Sequence, residues 1–379
     1  MIKVGSDFSG VGAFDQALIR LGIKYKTIFS CDMDKYARQT YIENYGEPDY
    51  YPADVYEREI PKQSLDIYMT SPPCQAFSMA GKRLGKEDKR GILFFNSYEF
   101  IQKNKPRYFI FENVKGLLSH DNGKTFQEWI NYLGGKSING LPVLFPDENA
   151  VPYHLYYKVL NSKKLNVPQN RERIFIIGIR DDKDNYFRWP KDKPLTKKLK
   201  NVLEKETHKK YYLSEKAIVK IKKSQANKDI EIKKFPDASR CIIAGYYKMP
   251  FDGQYIKIKS ATKTEDELAN CLRSNAALCP TDNTLWIADI RMDEGLRKRK
   301  NLLSPCLKAR NSSAKDIYTM SPLTNYSGKV RRLTPRECFR LMDFPDTFTW
   351  TCSDSQAYKQ AGNSIVVKCL EKIIEKFKL

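Results

Sequence analysis

The stretch IKVGSDFSGVGAFDQALIRLGIKYKTIFSCDMD, residues 2–34, decides the fold class. Ile2 to Val4 read as a strand. The segment DFSGVGAF (7–14) then turns the chain through glycines at 10 and 12. Apolar Ala13, Phe14, Ala17, Leu18 and Leu21 recur at helical spacing across 12–22. Thr27 to Ser30 form the next strand, and a second helix is expected near 34–45. A strand, a tight glycine turn, a helix and a second strand make a βαβ unit, whose strands lie parallel. In such a turn the backbone can approach a ligand closely, although the third glycine of the usual fingerprint is missing.

The same rhythm continues outward. Strands are predicted at 65–70, 107–111 and 173–179, and helices at about 92–104 and 124–133. The expected fold is α/β, a doubly wound, mostly parallel sheet. Residues 134–152 are rich in Gly, Pro and Asn and read as an inserted loop. After Arg180 the alternation is lost and lysines crowd in until about residue 330. Regular pattern returns at Thr334-Pro335-Arg336-Glu337, with proline at the first helical position and an acid in the first turn. A last amphipathic helix follows Gly362-Asn363. The expected division is a catalytic, cofactor-binding domain at 1–185 completed by 351–379, with a smaller domain inserted at 186–350.

The formal charge is +21, from 66 Lys and Arg against 45 Asp and Glu. A polyanion suits such a surface. Residues 183–234 alone hold 17 basic and 7 acidic side chains, a net of +10. The nine cysteines have no regular spacing and form no CxxC pair, which argues against a disulfide framework or a zinc site. No apolar run approaches the roughly 18 residues of a membrane span, so a soluble intracellular protein is expected.

Several side chains carry possible chemistry. In SCDMD (30–34), acids end the second strand about 20 residues beyond the glycine turn, where a carboxylate can accept from ribose hydroxyls. Asp54 lies in a similar loop. In MTSPPCQAFSMAG (69–81), two prolines stiffen the approach to Cys74, and a looser loop follows it. A buried structural cysteine is the plainer alternative there. Glu112 ends the apolar strand of FIFENVKG (109–116), where a carboxylate is either buried and raised in pKa or bonded to a substrate. Strand alternation in QNRERIFIIGI (169–179) puts Arg171 and Arg173 on one face.

In this order, and together with RRLTPRECFRLMDFPD (331–346) and QAYKQAGNSIVV (356–367), these motifs resemble the DNA (cytosine-5) methyltransferases of bacterial restriction–modification type. The likeness covers nearly the whole chain apart from 134–152 and about 186–325. It implies a Rossmann-like, S-adenosylmethionine-dependent enzyme that methylates C5 of a flipped cytosine and releases S-adenosylhomocysteine. Cys74 would be the nucleophile at C6, Glu112 the group at N3, and Arg173 with Arg171 the holders of O2. The resemblance assigns Phe8, Gly10, Gly12, Asp32, Met33, Asp54, Pro73, Leu93, Asn363 and Ser364 to the cofactor pocket. It implies no metal, double-stranded DNA as partner, a cognate restriction endonuclease as functional partner, and a monomer in a bacterial or phage-encoded setting.

Target recognition would belong to the inserted region, with Arg240, Arg273, Arg291 and Arg297 as base readers and Gln75 and Ser78 of the cysteine loop also on the DNA. Lysines 197, 198, 209, 210, 222 and 223 suit phosphate contacts. Three positions depart from the family, one of them Ala13, which stands where the second glycine of the usual pair is expected. Ser6 stands where an acid is usual, with Asp7 shifted by one, and Met33 replaces a commoner aromatic. Competing readings are a tRNA cytosine-5 methyltransferase, an amino-methyltransferase whose Pro-Pro loop would carry an aromatic in place of Cys74, and an inactive DNA-binding relative.

Overall fold

A computed structural model describes residues 1–72, 92–214, 232–234, 238–248, 255–259, 286–288 and 328–379. Contacts divide the chain into two compact units. The larger comprises Met1–Val202, Asp237–Tyr247 and Pro335–Leu379, and the smaller comprises Leu203–Pro236 and Lys248–Thr334.

The larger unit is an eight-stranded mixed sheet. Its first half follows the sequence reading: β1 (Ile2–Asp7), α1 (Ala13–Arg20), β2 (Tyr25–Cys31), α2 (Lys35–Tyr45), β3 (Ile67–Thr70), α3 (Ile92–Asn104), β4 (Tyr108–Val114) and α4 (Lys124–Leu133). Then come β5 (Ser137–Ile138), β6 (Leu141–Pro142), β7 (His154–Asn161) and β8 (Glu172–Ile179). The strand order is β2-β1-β3-β4-β8-β7-β5-β6. β2, β1, β3 and β4 pair in parallel, whereas β8 runs antiparallel to both β4 and β7. Two findings differ from expectation here. β7 was not anticipated, and the supposed loop at 134–152 contains the β5–β6 hairpin, which β5 joins to β7.

β3 and nearly all of β4 are buried, as strands covered on both faces must be. Phe94, Phe100 and Ile101 of α3 and Trp129, Ile130 and Leu133 of α4 close one core against Phe109, Phe111 and Ile176. Phe94 and Trp129 stack with centroids 4.3 Å apart. After the smaller unit the chain returns as α5 (Pro335–Leu341), α6 (Asp354–Asn363) and α7 (Val367–Ile374). α7 lies along α1, and Arg20 bridges Asp343 at 2.5 Å and Glu371 at 3.5 Å.

The boundary between units falls inside the expected insert. Residues 186–202 stay with the larger unit because Phe187, Leu199 and Val202 are buried in it. Residues 335–350 do so because Phe339, Phe344 and Phe348 pack as one aromatic cluster and Arg340 donates to the Val202 carbonyl at 3.0 Å. The described part of the smaller unit includes an antiparallel sheet, order β12-β10-β11-β9, of β9 (Ile232–Lys234), β10 (Tyr255–Lys259), β11 (Trp286–Ala288) and β12 (Gly328–Arg332).

Candidate active site

The glycine turn leaves the carboxyl end of β1 in a conformation L-residues resist. Phe8, Gly10 and Gly12 all have positive φ, at 57°, 55° and 80°. Phe8 is strained there, which costs on the order of 1–3 kcal/mol. A Cβ at Gly12 would lie 2.1 Å from the Tyr45 ring, so only glycine fits. A Cβ at Gly10 would meet no atom within 4 Å, so the turn opens onto free space. Asp32 holds the turn. One carboxylate oxygen accepts from the Gly10 amide and the other from the Asp34 amide, both at 2.8 Å. Burial raises its pKa, and these backbone bonds pull it back. Each oxygen keeps a second lone pair for a ligand.

Asn363 and Ser364 reach the same place. Gln360 on α6 donates to the Tyr36 carbonyl at 2.9 Å and meets Thr40 at 3.2 Å, while Lys359 pairs with Asp34 at 2.6 Å. So stitched to α2, the end of α6 joins Phe8, Gly10, Met69 and Ser71 around a small cavity. Neither Met33, 86% exposed, nor Asp54 lines that cavity; Asp54 is exposed and caps its own turn through the Tyr56 amide at 2.9 Å. Leu93, in the first turn of α3, packs half-buried on the core.

The shifted acid has a different task. Asp7 is fully buried, bonded to Arg58 Nε at 3.0 Å and to the Tyr68 hydroxyl at 2.6 Å. Desolvation nevertheless holds its pKa up. Arg58 follows Asp54 in the same loop, so this pair anchors the Asp54 loop beneath Phe8. Ser6, at the position usually acidic, meets only Ser30, at 3.4 Å, among its described partners.

Glu112 sits near the end of β4 and is buried. Because β8 runs antiparallel, its start lies beside that end: Val114 pairs with Arg173 and Glu112 with Phe175. Arg173 Nε is 3.1 Å from Glu112 Oε1. Burial pushes the Glu112 carboxyl up, and the Arg173 charge, then that of Arg171, pulls it down. Next along β4, Asn113 donates to the Pro72 carbonyl at 3.3 Å, and Ser71 donates to the Phe8 carbonyl at 3.4 Å. The root of the cysteine loop is thereby fixed beside both Glu112 and the glycine turn. Neither Asn113 nor Ser71 was expected to anchor this loop, although both lie inside quoted motifs.

The two arginines part company. Arg171 precedes β8 and is buried on three backbone carbonyls, Ile242 at 2.8 Å, Gly362 at 2.9 Å and Ser364 at 2.8 Å. Burial and the like charge of Arg173 pull its pKa down. Gln169, two residues earlier, donates to the Leu341 carbonyl at 2.8 Å and accepts from the Ile242 amide at 2.9 Å. Both side chains position backbone, and only Arg173 faces Glu112. Arg240 lies in the segment that returns to the larger unit, where Asn170 donates to the Ser239 carbonyl at 2.8 Å. Pro73, Cys74, Gln75, Ser78, Arg273, Arg291 and Arg297 lie outside the described residues.

The Rossmann-like sheet thus carries a strained glycine turn at the end of β1 and, beside the Ser71–Pro72 root, buried Glu112 paired with half-buried Arg173. A family model described as C-5 cytosine-specific DNA methylase matches residues 2–379, and the chain belongs to that family. It is 30% identical to the orphan methyltransferase M.SPRI of Bacillus phage SPR, over 99% of this chain and 97% of the relative. It is 33% identical to the type II methyltransferase M.HpaII of Haemophilus parainfluenzae, over 97% and 88%. A solved structure of a Spodoptera frugiperda DNMT2 variant has the same fold, with TM-score 0.65 and 19% identity over 99% of both chains. Among the described residues no helix is long and apolar enough to cross a membrane, and no cluster could hold a metal ion.

Proposed function

We propose that this DNA cytosine-C5 methyltransferase acts through a covalent bond between Cys74 and cytosine C6, within a short double-stranded sequence, and so protects DNA from a cognate endonuclease. The observation that carries the mechanism is the pairing of buried Glu112 with half-buried Arg173 beside the Asn113-anchored root of the cysteine loop. Cytosine C5 is a poor nucleophile. Attack by the Cys74 thiolate on C6 makes the ring an enamine with electron density at C5. Glu112, pushed up by burial, can carry a proton and donate it towards N3 as charge develops there. Arg173 would hold O2. After transfer, loss of the C5 proton and cleavage of the C6–S bond release 5-methylcytosine and restore the thiol. The duplex buries C6, so the base must be extruded first.

The residues present fit S-adenosylmethionine, on which the family depends. Free space over Gly10 admits a ligand, and Asp32 retains acceptor capacity towards a ribose. Phe8, Gly12, Met33, Asp54, Pro73, Leu93, Asn363 and Ser364 would complete the pocket. When bound, this cofactor supplies the electrophilic methyl group. Arg171 acts by holding residues 362–364 in place. The basic insert would take the DNA, with Arg273, Arg291 and Arg297 among its base readers and Gln75 and Ser78 near the extruded base. Arg240 would approach from its place next to Gln169.

Two measurements test the covalent step. Cys74→Ser should abolish methyl transfer from labelled cofactor while leaving DNA binding intact, and substantial turnover would sink the mechanism. With 5-fluorocytosine in a confirmed site, fluorine cannot leave as a cation, so a denaturation-resistant adduct should accumulate.

A further inference from the structure

The hairpin within residues 134–152 has no part in the site, yet it is both ordered and apolar. Leu141, Leu144 and Phe145 are 73%, 81% and 93% exposed. The loop that carries them is pinned: Val143 donates to the Lys136 carbonyl at 2.9 Å, Ala150 to the Asp147 carbonyl at 2.9 Å, and Val151 to the Tyr132 carbonyl at 2.8 Å. The Tyr98 hydroxyl also donates to the Asn149 carbonyl. Phe145 is thus held outward. Apolar side chains exposed together, as Leu141, Leu144 and Phe145 are, mark interaction sites where single scattered ones do not.

Beside this projection is a cleft of about 660 Å³, which Gly140 and Pro142 of the same hairpin help to line. Its floor is aromatic, from Tyr156, Tyr157, Phe187 and Trp189. Pockets of about 300–1,000 Å³ accept drug-sized molecules, so there is room for Phe145 and Leu144 together. Charge matches as well. Exposed Asp147 and Glu148 follow Phe145, and Lys136 and Lys158 line the cleft. Lys136 is already paired with Asp182 at 2.5 Å, whereas Lys158 is exposed and available. The cleft lies at the start of β7. There His154 pairs with Ile179, as does Tyr108, and the lining continues along β7 to Lys158, which pairs with Phe175 as Glu112 does.

We infer that this face is a self-complementary interface at which a second copy of the chain inserts its Phe145 hairpin into the aromatic cleft while receiving the same hairpin in return. A knob and a hole on one face are what a twofold interface needs, because each partner must offer both. The dimer is seated on β7 and the hairpin, and β8 separates β7 from β4, which carries Glu112. It departs from the monomer that the sequence led us to expect.

The test is sedimentation equilibrium of the full chain without DNA. The wild-type protein should dimerise with a dissociation constant on the order of 10 µM, a weak interface. Phe145→Asp should weaken association at least about tenfold, as loss of a central aromatic anchor does, and retain full methyl transfer, which shows that it is folded. Lys158→Glu should weaken it as well. A peptide of residues 141–149, LPVLFPDEN, should compete with association, and a scrambled peptide should not. A chain that stays monomeric overturns the inference, including one whose hairpin proves to be covered by a different protein. So does a dimer that ignores Phe145→Asp. Loss on Phe145→Asp with no effect of Lys158→Glu or the peptide overturns it too, since that would mean patch against patch.

Discussion

Glu112 and Asp15 are both buried acids with raised pKa values, and they serve different ends. Glu112 faces Arg173 at the mouth of the sheet, where a carboxyl that can hold a proton is useful. Glu112→Gln should lower methyl transfer by roughly 10²–10⁴-fold, the range of lost general acid catalysis, with DNA binding unchanged in a gel-shift assay. Asp15 lies in α1, bonded to the Tyr41 hydroxyl at 2.8 Å, and burial pushes it from 3.8 to about 6. A raised carboxyl favours the protonated folded state. Its contribution is therefore fully present below pH 3.8 and is lost as pH rises through about 6. That shift corresponds to about 3 kcal/mol at ~1.4 kcal/mol per pH unit. Asn keeps an acceptor for Tyr41, so Asp15→Asn should be more stable than the parent at pH 8. The gap in Tm should close as pH falls from 7 to 4, and an equal gap throughout would refute the assignment.

At the scale of elements, Arg171 shows how far sequence could be read. Alternation put it on the face of Arg173, but Arg171 lies before β8 begins and its guanidinium turns to the carbonyls of Ile242, Gly362 and Ser364. Two arginines one residue apart look alike in a sequence, and only the fold separates them. Arg171→Met would leave three buried carbonyls without donors, each worth about 1–3 kcal/mol. A lower Tm and a weakened affinity for S-adenosylhomocysteine should appear together in thermal melts and calorimetry. Loss of stability with unchanged affinity would mean that 362–364 is held by other means. The βα elements of the first 133 residues were legible because their periodicities are clean. β7 was not, since HLYYKVLN follows a stretch of Gly, Pro and Asn that reads as loop. The antiparallel sense of β8 is a long-range property of the sheet, and it is what delivers Arg173 to Glu112.

For the whole molecule, composition indicated a polyanion partner, and the family is one of DNA methylases. Lysine content also misplaced a boundary, since 186–202 reads as basic insert but buries Phe187, Leu199 and Val202 in the larger unit. If roughly 5 to 8 phosphates are neutralised, log affinity should fall with log salt at a slope of about −5 to −7. A slope shallower than about −2 would mean that most of the basic surface faces solvent. Bisulfite sequencing of DNA from a methylation-free host should reveal one short motif, of roughly four to six base pairs, read by bidentate contacts of about 1–3 kcal/mol each. Lysine-to-alanine changes within 197–223 should weaken binding to every sequence alike and leave that motif unaltered. A motif changed by them would move base reading into that segment.

The packing of α7 along α1 joins residues some 350 positions apart, and it gives synthesis a timetable. At about 5–20 residues per second, between roughly 20 and 70 seconds separate the emergence of β1 from that of α7. Throughout that interval the flank of α1 is bare, and Arg171 lacks two of its three carbonyl acceptors because residues 362 and 364 do not yet exist. A nascent chain halted anywhere in 203–334 would already carry its thiol and its buried acid, but would have nothing to close the far side of the glycine turn. Competence to modify DNA thus arrives late and all at once, and a truncated product is a mute one.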